Sequence, residues 1–202
     1  MSRKESEEVF LNALESLLIE NKEFGINALA EKAGLNKVLI YRYFNGWDGL
    51  LEAYARKINL WRTIRDEFEE GLKSERWNNS TEAVFWLFKI YRIKLLSSPV
   101  YLRILKEELF RPNPLTRKLE VEREEEGIII SSLLVQSFGE LQKVNVPALG
   151  AFVVSALTYI ALKSTQVTVF NGLDLSLDES WEQMDKIWEI SISTILSGTV
   201  EK

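Results

Sequence analysis

The sequence predicts an all-α fold, and three observations carry that reading. Apolar residues recur at helical spacing along nearly the whole chain, from Phe10, Ala13, Leu14, Leu17 and Leu18 to Trp181, Met184, Trp188, Ile192 and Ile195. Helix starts and stops are marked by Gly34, Asn79-Ser80, Ser98-Pro99 and Asn113-Pro114, residues that cap or break helices. Only Gln166 to Leu177 alternates like a strand pair, on either side of Asn171-Gly172. That dipeptide is a hairpin cue, but in so helical a chain an extended loop is the expectation. The pattern gives about nine helices. They divide into a three-helix head over residues 1–46 that contains a helix-turn-helix, and a larger helical domain over 47–202.

Composition narrows the function classes. With 202 residues, 46% hydrophobic and 27% charged, the chain can bury a sizeable core and reads as a globular protein. It contains neither cysteine nor histidine. Disulfides, thiol chemistry, Ser-His-Asp arrangements and the usual zinc sites are therefore excluded. No G-x-x-x-x-G-K or G-x-G-x-x-G run is present. No catalytic residue, cofactor or metal is expected, and the Glu122 to Glu126 run reads as a solvated face. The start, MSRKESEEVF, is charged and lacks the apolar stretch of a secretory signal, so a cytoplasmic protein is expected.

In chain order, Lys4 to Asn21 forms a first amphipathic helix with Glu5, Glu7 and Glu8 at its N-terminal end, where the helix dipole favours acids. Asn21-Lys22-Glu23 turns the chain into Phe24. Ile26, Leu29, Ala30 and Ala33 give the second helix one apolar face, and Gly34 ends it in the left-handed conformation that glycine accepts. Asn36 caps a third helix, Lys37 to Phe44. Ile40 and Phe44 anchor that helix, with Tyr43 on the same face. Val38, Leu39, Tyr41 and Arg42 point away, and Lys37 flanks them. Two aliphatics, an aromatic and a cation make a poor solvent face and a good nucleic-acid face. Lysine and arginine reach guanine edges or phosphates, aliphatics pack on thymine methyls, and tyrosine hydroxyls donate to phosphate oxygens.

Leu29-Ala30-Glu31-Lys32-Ala33-Gly34-Leu35-Asn36-Lys37, followed by Ile40-Tyr41-Arg42-Tyr43-Phe44 and Leu50-Leu51, resembles the N-terminal domain of the tetracycline-repressor (TetR) family. The resemblance covers roughly the first quarter of the chain. It implies a sequence-specific, homodimeric transcription regulator. Such a protein is usually a repressor on double-stranded operator DNA, released by a small hydrophobic or amphipathic effector. Together with the outward face of the third helix, it makes Asn36, Lys37, Val38, Leu39, Tyr41, Arg42, Tyr43 and Trp47 the candidate DNA contacts.

Two departures from the family pattern stand out. Gly25 takes a capping position usually held by threonine or serine. Gly46 and Trp47 replace a serine-lysine pair whose lysine contacts a phosphate. Trp47 can donate its indole N–H to a phosphate or pack on the head's core, and Gly49 reads either as flexibility or as a packing requirement. The balance is acidic. Residues 1–50 carry six cations against eight acids, although Lys32 to Trp47 holds three cations and no acid. That local charge predicts few phosphate contacts per head and a shallow salt dependence. It also keeps a second reading open, a ligand- or partner-binding helical protein with a weakened DNA head.

A fourth helix is expected from about Asp48 to Lys73. A mostly buried helix follows through Ser97, another runs from Val100 to Phe110, and a long one begins at Pro114, charged first and apolar after Gly127. Trp61, Phe85, Trp86, Tyr91, Tyr101 and Tyr159 are the candidate effector lining, with Arg92 or Arg103 as counter-charges for an anion. Val144 to Leu162 is charge-free and close to membrane-spanning length. Asn145, Pro147, Gly150, Ser155 and Thr158 argue against a membrane and for a helix buried on one side by its own core and on the other by a partner. The last helix, Glu179 to Leu196, completes the expected homodimer interface through the last two helices. The symmetry would set two recognition helices about 34 Å apart on a near-palindromic site.

Overall fold

The computed structural model describes residues 1–20, 22 and 24–198. Of the turn expected at Asn21-Lys22-Glu23, Asn21 and Glu23 therefore lie outside the described residues. The order is α1 (Arg3–Ile19), α2 (Ile26–Ala33), α3 (Val38–Phe44), α4 (Trp47–Lys57), α5 (Leu60–Lys73), α6 (Ser80–Leu96), α7 (Pro99–Phe110) and α8 (Pro114–Ser137). A short 3-10 turn (Gly139–Lys143) precedes α9 (Val146–Ser164), β1 (Val169–Phe170), β2 (Leu173–Asp174) and α10 (Asp178–Ser197). Among the described residues the fold is all-α apart from that pair of two-residue strands.

Ten α-helices stand among the described residues because the expected Asp48–Lys73 helix is two. The chain breaks at Ile58 and Asn59. The buried Asn59 turns its amide into a 2.7 Å hydrogen bond to Glu122 Oε2 instead of continuing the helix. The Asn171-Gly172 stretch also corrects the sequence reading. It is a hairpin, with Val169 opposite Asp174 and Phe170 opposite Leu173. Asn171 (φ 50°) and Gly172 (φ 83°) both take the left-handed conformation that a two-residue hairpin turn requires.

Two compact units form. The first comprises residues 1–59 and 98–122. Its core joins Phe10, Leu14 and Leu18 of α1, Leu29 of α2, Ile40 of α3, and Leu50, Leu51 and Tyr54 of α4 to Val100 and Ile104 of α7 and Leu115 and Leu119 of α8. This unit extends past the boundary expected at 46/47, because α4 puts its buried face into the same core and α7 closes it. Arg103 of α7 donates to the Leu18 carbonyl at 2.6 Å, satisfying one of the orphan acceptors at the end of α1.

The second unit comprises residues 60–97 and 123–202. Helix α6 is its hub, packed by α5, α9 and α10. Polar links fix each pair: Lys94 to Glu67 on α5 (2.7 Å), Tyr91 to Thr158 on α9 (2.6 Å), and Arg92 to both Asp185 oxygens on α10 (3.0 and 2.6 Å). Helix α8 corrects a further expectation. Its two halves do not divide into solvated and buried; one stripe, Leu115, Leu119, Glu126, Ile130 and Leu134, is buried along its length, while Ile128 is exposed. Glu126 therefore does not belong to a solvated run. It is buried on that stripe because Arg65 (2.6 Å) and Arg62 (3.2 Å) compensate its charge.

Candidate nucleic-acid interface

The helix-turn-helix is held by backbone before any side chain is presented. Gly34 sits at φ 63°, which lets the Leu35 N–H reach back to the Ala30 carbonyl at 3.1 Å and close α2. Asn36 Oδ1 then accepts from the Val38 N–H at 2.9 Å, so Asn36 starts α3 through a side-chain turn one residue ahead of Lys37. Leu29 and Ile40 are fully buried beneath the turn, and Phe44 meets Phe10 edge-on at 6.2 Å. Helix α3 is thus supported from beneath and open above.

That open face consists of Asn36, Lys37, Val38, Tyr41 and Arg42, all exposed. Val38 (61%) and Tyr41 (60%) are large apolar side chains left bare on a seven-residue helix. Leu39, expected on the same face, is half-buried against the unit's core, because the buried arc of α3 is wider than a single stripe. Tyr43 is half-buried and flanked by two guanidiniums, Arg3 at 5.6 Å and Arg42 at 5.9 Å from its ring centroid.

Arg3 is the residue that sequence reasoning missed. Its Nη2 donates to the Tyr43 carbonyl at 3.1 Å, tying the start of α1 to the end of α3 across forty positions of sequence. No local signal in the chain announces that contact.

The local electrostatics are leaner than the sequence count. Lys32 is paired with Glu20, which Lys22 also holds at 2.7 Å. The hydrogen bonds from Lys22 and Lys32 hold the Glu20 carboxyl down to about 2, so it stays ionised and keeps Lys32 occupied. Lys37 donates to the neutral Asn27 Oδ1 at 3.1 Å, and Arg42 has no carboxylate partner among the described residues. Two cations, Lys37 and Arg42, therefore carry the charge of the face.

Trp47, the first residue of α4, lies half-buried on the core with its ring 6.3 Å from Phe24. Of the two roles left open for it, packing is the one the geometry displays. Gly49 has a packing reason as well: a Cβ built there would lie 1.7 Å from the Phe44 carbonyl oxygen, so only glycine lets α4 press so closely on the end of α3.

The candidate effector residues make several different ring contacts. Trp61 and Tyr91 stack with centroids 4.7 Å apart. Trp86 belongs to a separate cluster with Phe68 and Trp77 (6.2 and 5.0 Å). Phe85 lies under Lys89. Tyr159 is 54% exposed and meets Phe170 of the hairpin, and Tyr101 is buried in the other unit. Neither proposed counter-charge is free: Arg92 is held by Asp185, and Arg103, in the first unit, by Glu107 and Leu18.

No family model matches the sequence, nor does any curated protein. Solved structures do match. HlyIIR, a hemolysin II transcriptional regulator, aligns over 100% of both chains at 17% identity with a TM-score of 0.59. A TetR family transcription regulator from Marinobacter aquaeolei VT8 covers 91% of this chain and 96% of its own, at 17% identity and a TM-score of 0.61. The fold is that of the TetR-family regulators. In this TetR-type fold the α2–turn–α3 segment and its bare Val38–Tyr41–Arg42 face occupy the N-terminal unit, where the sequence pattern placed the family's helix-turn-helix.

Proposed function

We propose that the chain is a sequence-specific DNA-binding transcriptional regulator. It acts as a homodimer through α9 and α10 on a near-palindromic operator, and a small effector bound in the second unit releases it. The observation that carries the reading is the outward face of α3. Val38 and Tyr41 are bare, Lys37 and Arg42 are unneutralised, and the helix is fixed from below by Ile40 and Phe44. A side-chain set of this kind is costly in water and complementary to a major groove.

A second reading, a ligand- or partner-binding protein with a weakened DNA head, is favoured by two specific observations. Lys32 is neutralised by Glu20, and Trp47 stands turned into the core where the family pattern has a cation.

Fluorescence anisotropy of the purified protein on duplex DNA from upstream of its own gene, against scrambled duplex over a salt series, decides between them. Binding that depends on sequence and drops at least tenfold when Tyr41 and Arg42 are changed to Ala is expected. A folded dimer with no preference for any duplex at low salt would overturn the regulator reading in favour of the second one.

A further inference from the structure

Among the described residues of the second unit, one buried side-chain donor has no hydrogen-bond partner. Trp61 of α5 is only 8% exposed, and its indole N–H is buried with no acceptor among the described residues. Folded proteins leave few such donors orphaned, because the hydrogen bond to water given up on burial is not replaced. The ring is held in place: it stacks on Tyr91 of α6 at 4.7 Å and 24°, and the Tyr91 hydroxyl is itself committed to Thr158 at 2.6 Å. The donor is thus pre-oriented and unspent.

The half-buried cations on the two helices that carry the stacked rings are, by contrast, committed. The half-buried cations of α5 and α6 are Arg62, Arg65, Arg92 and Lys94. Arg62 and Arg65 share Glu126, Arg92 grips Asp185, and Lys94 holds Glu67 at 2.7 Å. An anion entering here would have to displace a carboxylate that is already hydrogen-bonded, and burying it otherwise leaves its charge unpaired.

We propose that the ligand of this unit is a neutral, mostly apolar molecule bearing one carbonyl-type oxygen, which accepts the hydrogen bond from Trp61 Nε1. The inference rests on the reading of the second unit as the effector domain and names the chemistry of that effector.

Three shape-matched probes test it by titration calorimetry on the full chain: 2-acetylnaphthalene, 2-ethylnaphthalene and 2-naphthoate. The ketone is expected to bind about five- to tenfold tighter than the ethyl isostere, the increment of one neutral hydrogen bond, and the carboxylate weakest. Trp61→Phe keeps the stacking ring and removes the donor, so it should erase the ketone's advantage and leave ethylnaphthalene unchanged. In a 15N-labelled sample one of the six tryptophan indole resonances should shift with the ketone and not with the ethyl compound. These two wild-type comparisons decide the matter even if Trp61→Phe fails to fold. Equal binding of ketone and isostere, tightest binding of naphthoate, an advantage retained by Trp61→Phe, or no binding of any probe would overturn the proposal. Failure of the DNA reading is separate: a protein that binds the ketone as described but prefers no duplex keeps this site and loses the regulator.

Discussion

Tyr54 shows how much a single buried atom can decide. Its side chain is fully buried in the core of the first unit, and its hydroxyl has no hydrogen-bond partner among the described residues. Burial, with Glu15 nearby as a smaller influence, pushes its ionisation above the ordinary tyrosine value. The sign follows directly. Below about pH 10 the phenol is protonated in both folded and unfolded chains and contributes no pH dependence. As pH rises beyond that, the unfolded chain ionises first and stability is lost, with a slope of up to about 1.4 kcal/mol per pH unit. Tyr54→Phe should therefore match or exceed the wild type by about 1 kcal/mol near neutral pH, since it removes an unsatisfied buried group. It should also lose less stability between pH 9.5 and 11. Urea denaturation across that range checks both, and a variant that falls as steeply as wild type would mean that another group sets the alkaline limit. The sequence places Tyr41 on an outward face but does not show that the Tyr54 hydroxyl ends without a partner. Both stand on helices, and only the tertiary packing buries one hydroxyl and bares the other.

Helices α3 and α4 meet through an absence. With a Cβ at Gly49 lying 1.7 Å from the Phe44 carbonyl oxygen, Gly49→Ala must move either the end of α3 or the start of α4. A loss of about 1–3 kcal/mol in denaturation is expected, the usual scale for a forced overlap. On the proposed DNA-binding reading, a fall in DNA affinity should accompany it, because α3 carries the proposed contact face. An alanine variant as stable as the wild type would show that the junction yields freely. Glycine at this position is visible in the sequence; its reason is not, because the clash is with backbone of the preceding helix.

The same division runs through the other elements. Signals that act within one turn were legible: the αL stop at Gly34, the Asn36 turn, and the caps at Asn79 and Ser98, which accept from Glu82 and Tyr101 N–H groups. The Asn171-Gly172 cue was local as well, and the local rule proved stronger than the helical context set against it. What depends on distant chain segments was not legible. The break at Asn59 needs Glu122, the burial of Glu126 needs Arg62 and Arg65, and the place of Tyr101 follows from α7 joining the first core. Around α3 the sequence identified the exposed Lys37, Tyr41 and Arg42, but Leu39 of α3 and Trp47 of α4 packed on the core and Arg3 arrived from the start of α1.

For the whole molecule the telling feature is apolar surface with nothing on it. Helix α9 is long and apolar enough to cross a membrane, yet only 22% of its most apolar window is buried within the single chain. Phe152 stands 65% exposed on it and touches Trp188 of α10, whose own Ile187 and Ile190 are comparably bare. Two neighbouring helices with continuous exposed aromatics and aliphatics suit a second copy of the same chain better than lipid. The patch is shared by α10, which carries Asp178, Glu179, Glu182, Lys186 and Glu189 and would not enter hydrocarbon. A twofold pairing of α9 and α10 would bury this patch on both copies at once. Changing Phe152 and Ile190 together to Glu places a charge on each helix where the partner would sit. Neither side chain is buried in the single chain, so circular dichroism should stay helical while sedimentation shifts from dimer to monomer. On the proposed reading as a DNA-binding dimer, the consequence for DNA is sharper than a loss of affinity. A dimer spans two half-sites and a monomer one, so the slope of log affinity against log salt should fall to about half as the number of neutralised phosphates halves. A double variant that remains dimeric would place the interface elsewhere. One that becomes monomeric but keeps the full salt slope would mean that a single head makes all the phosphate contacts, which Lys37 and Arg42 are too few to do.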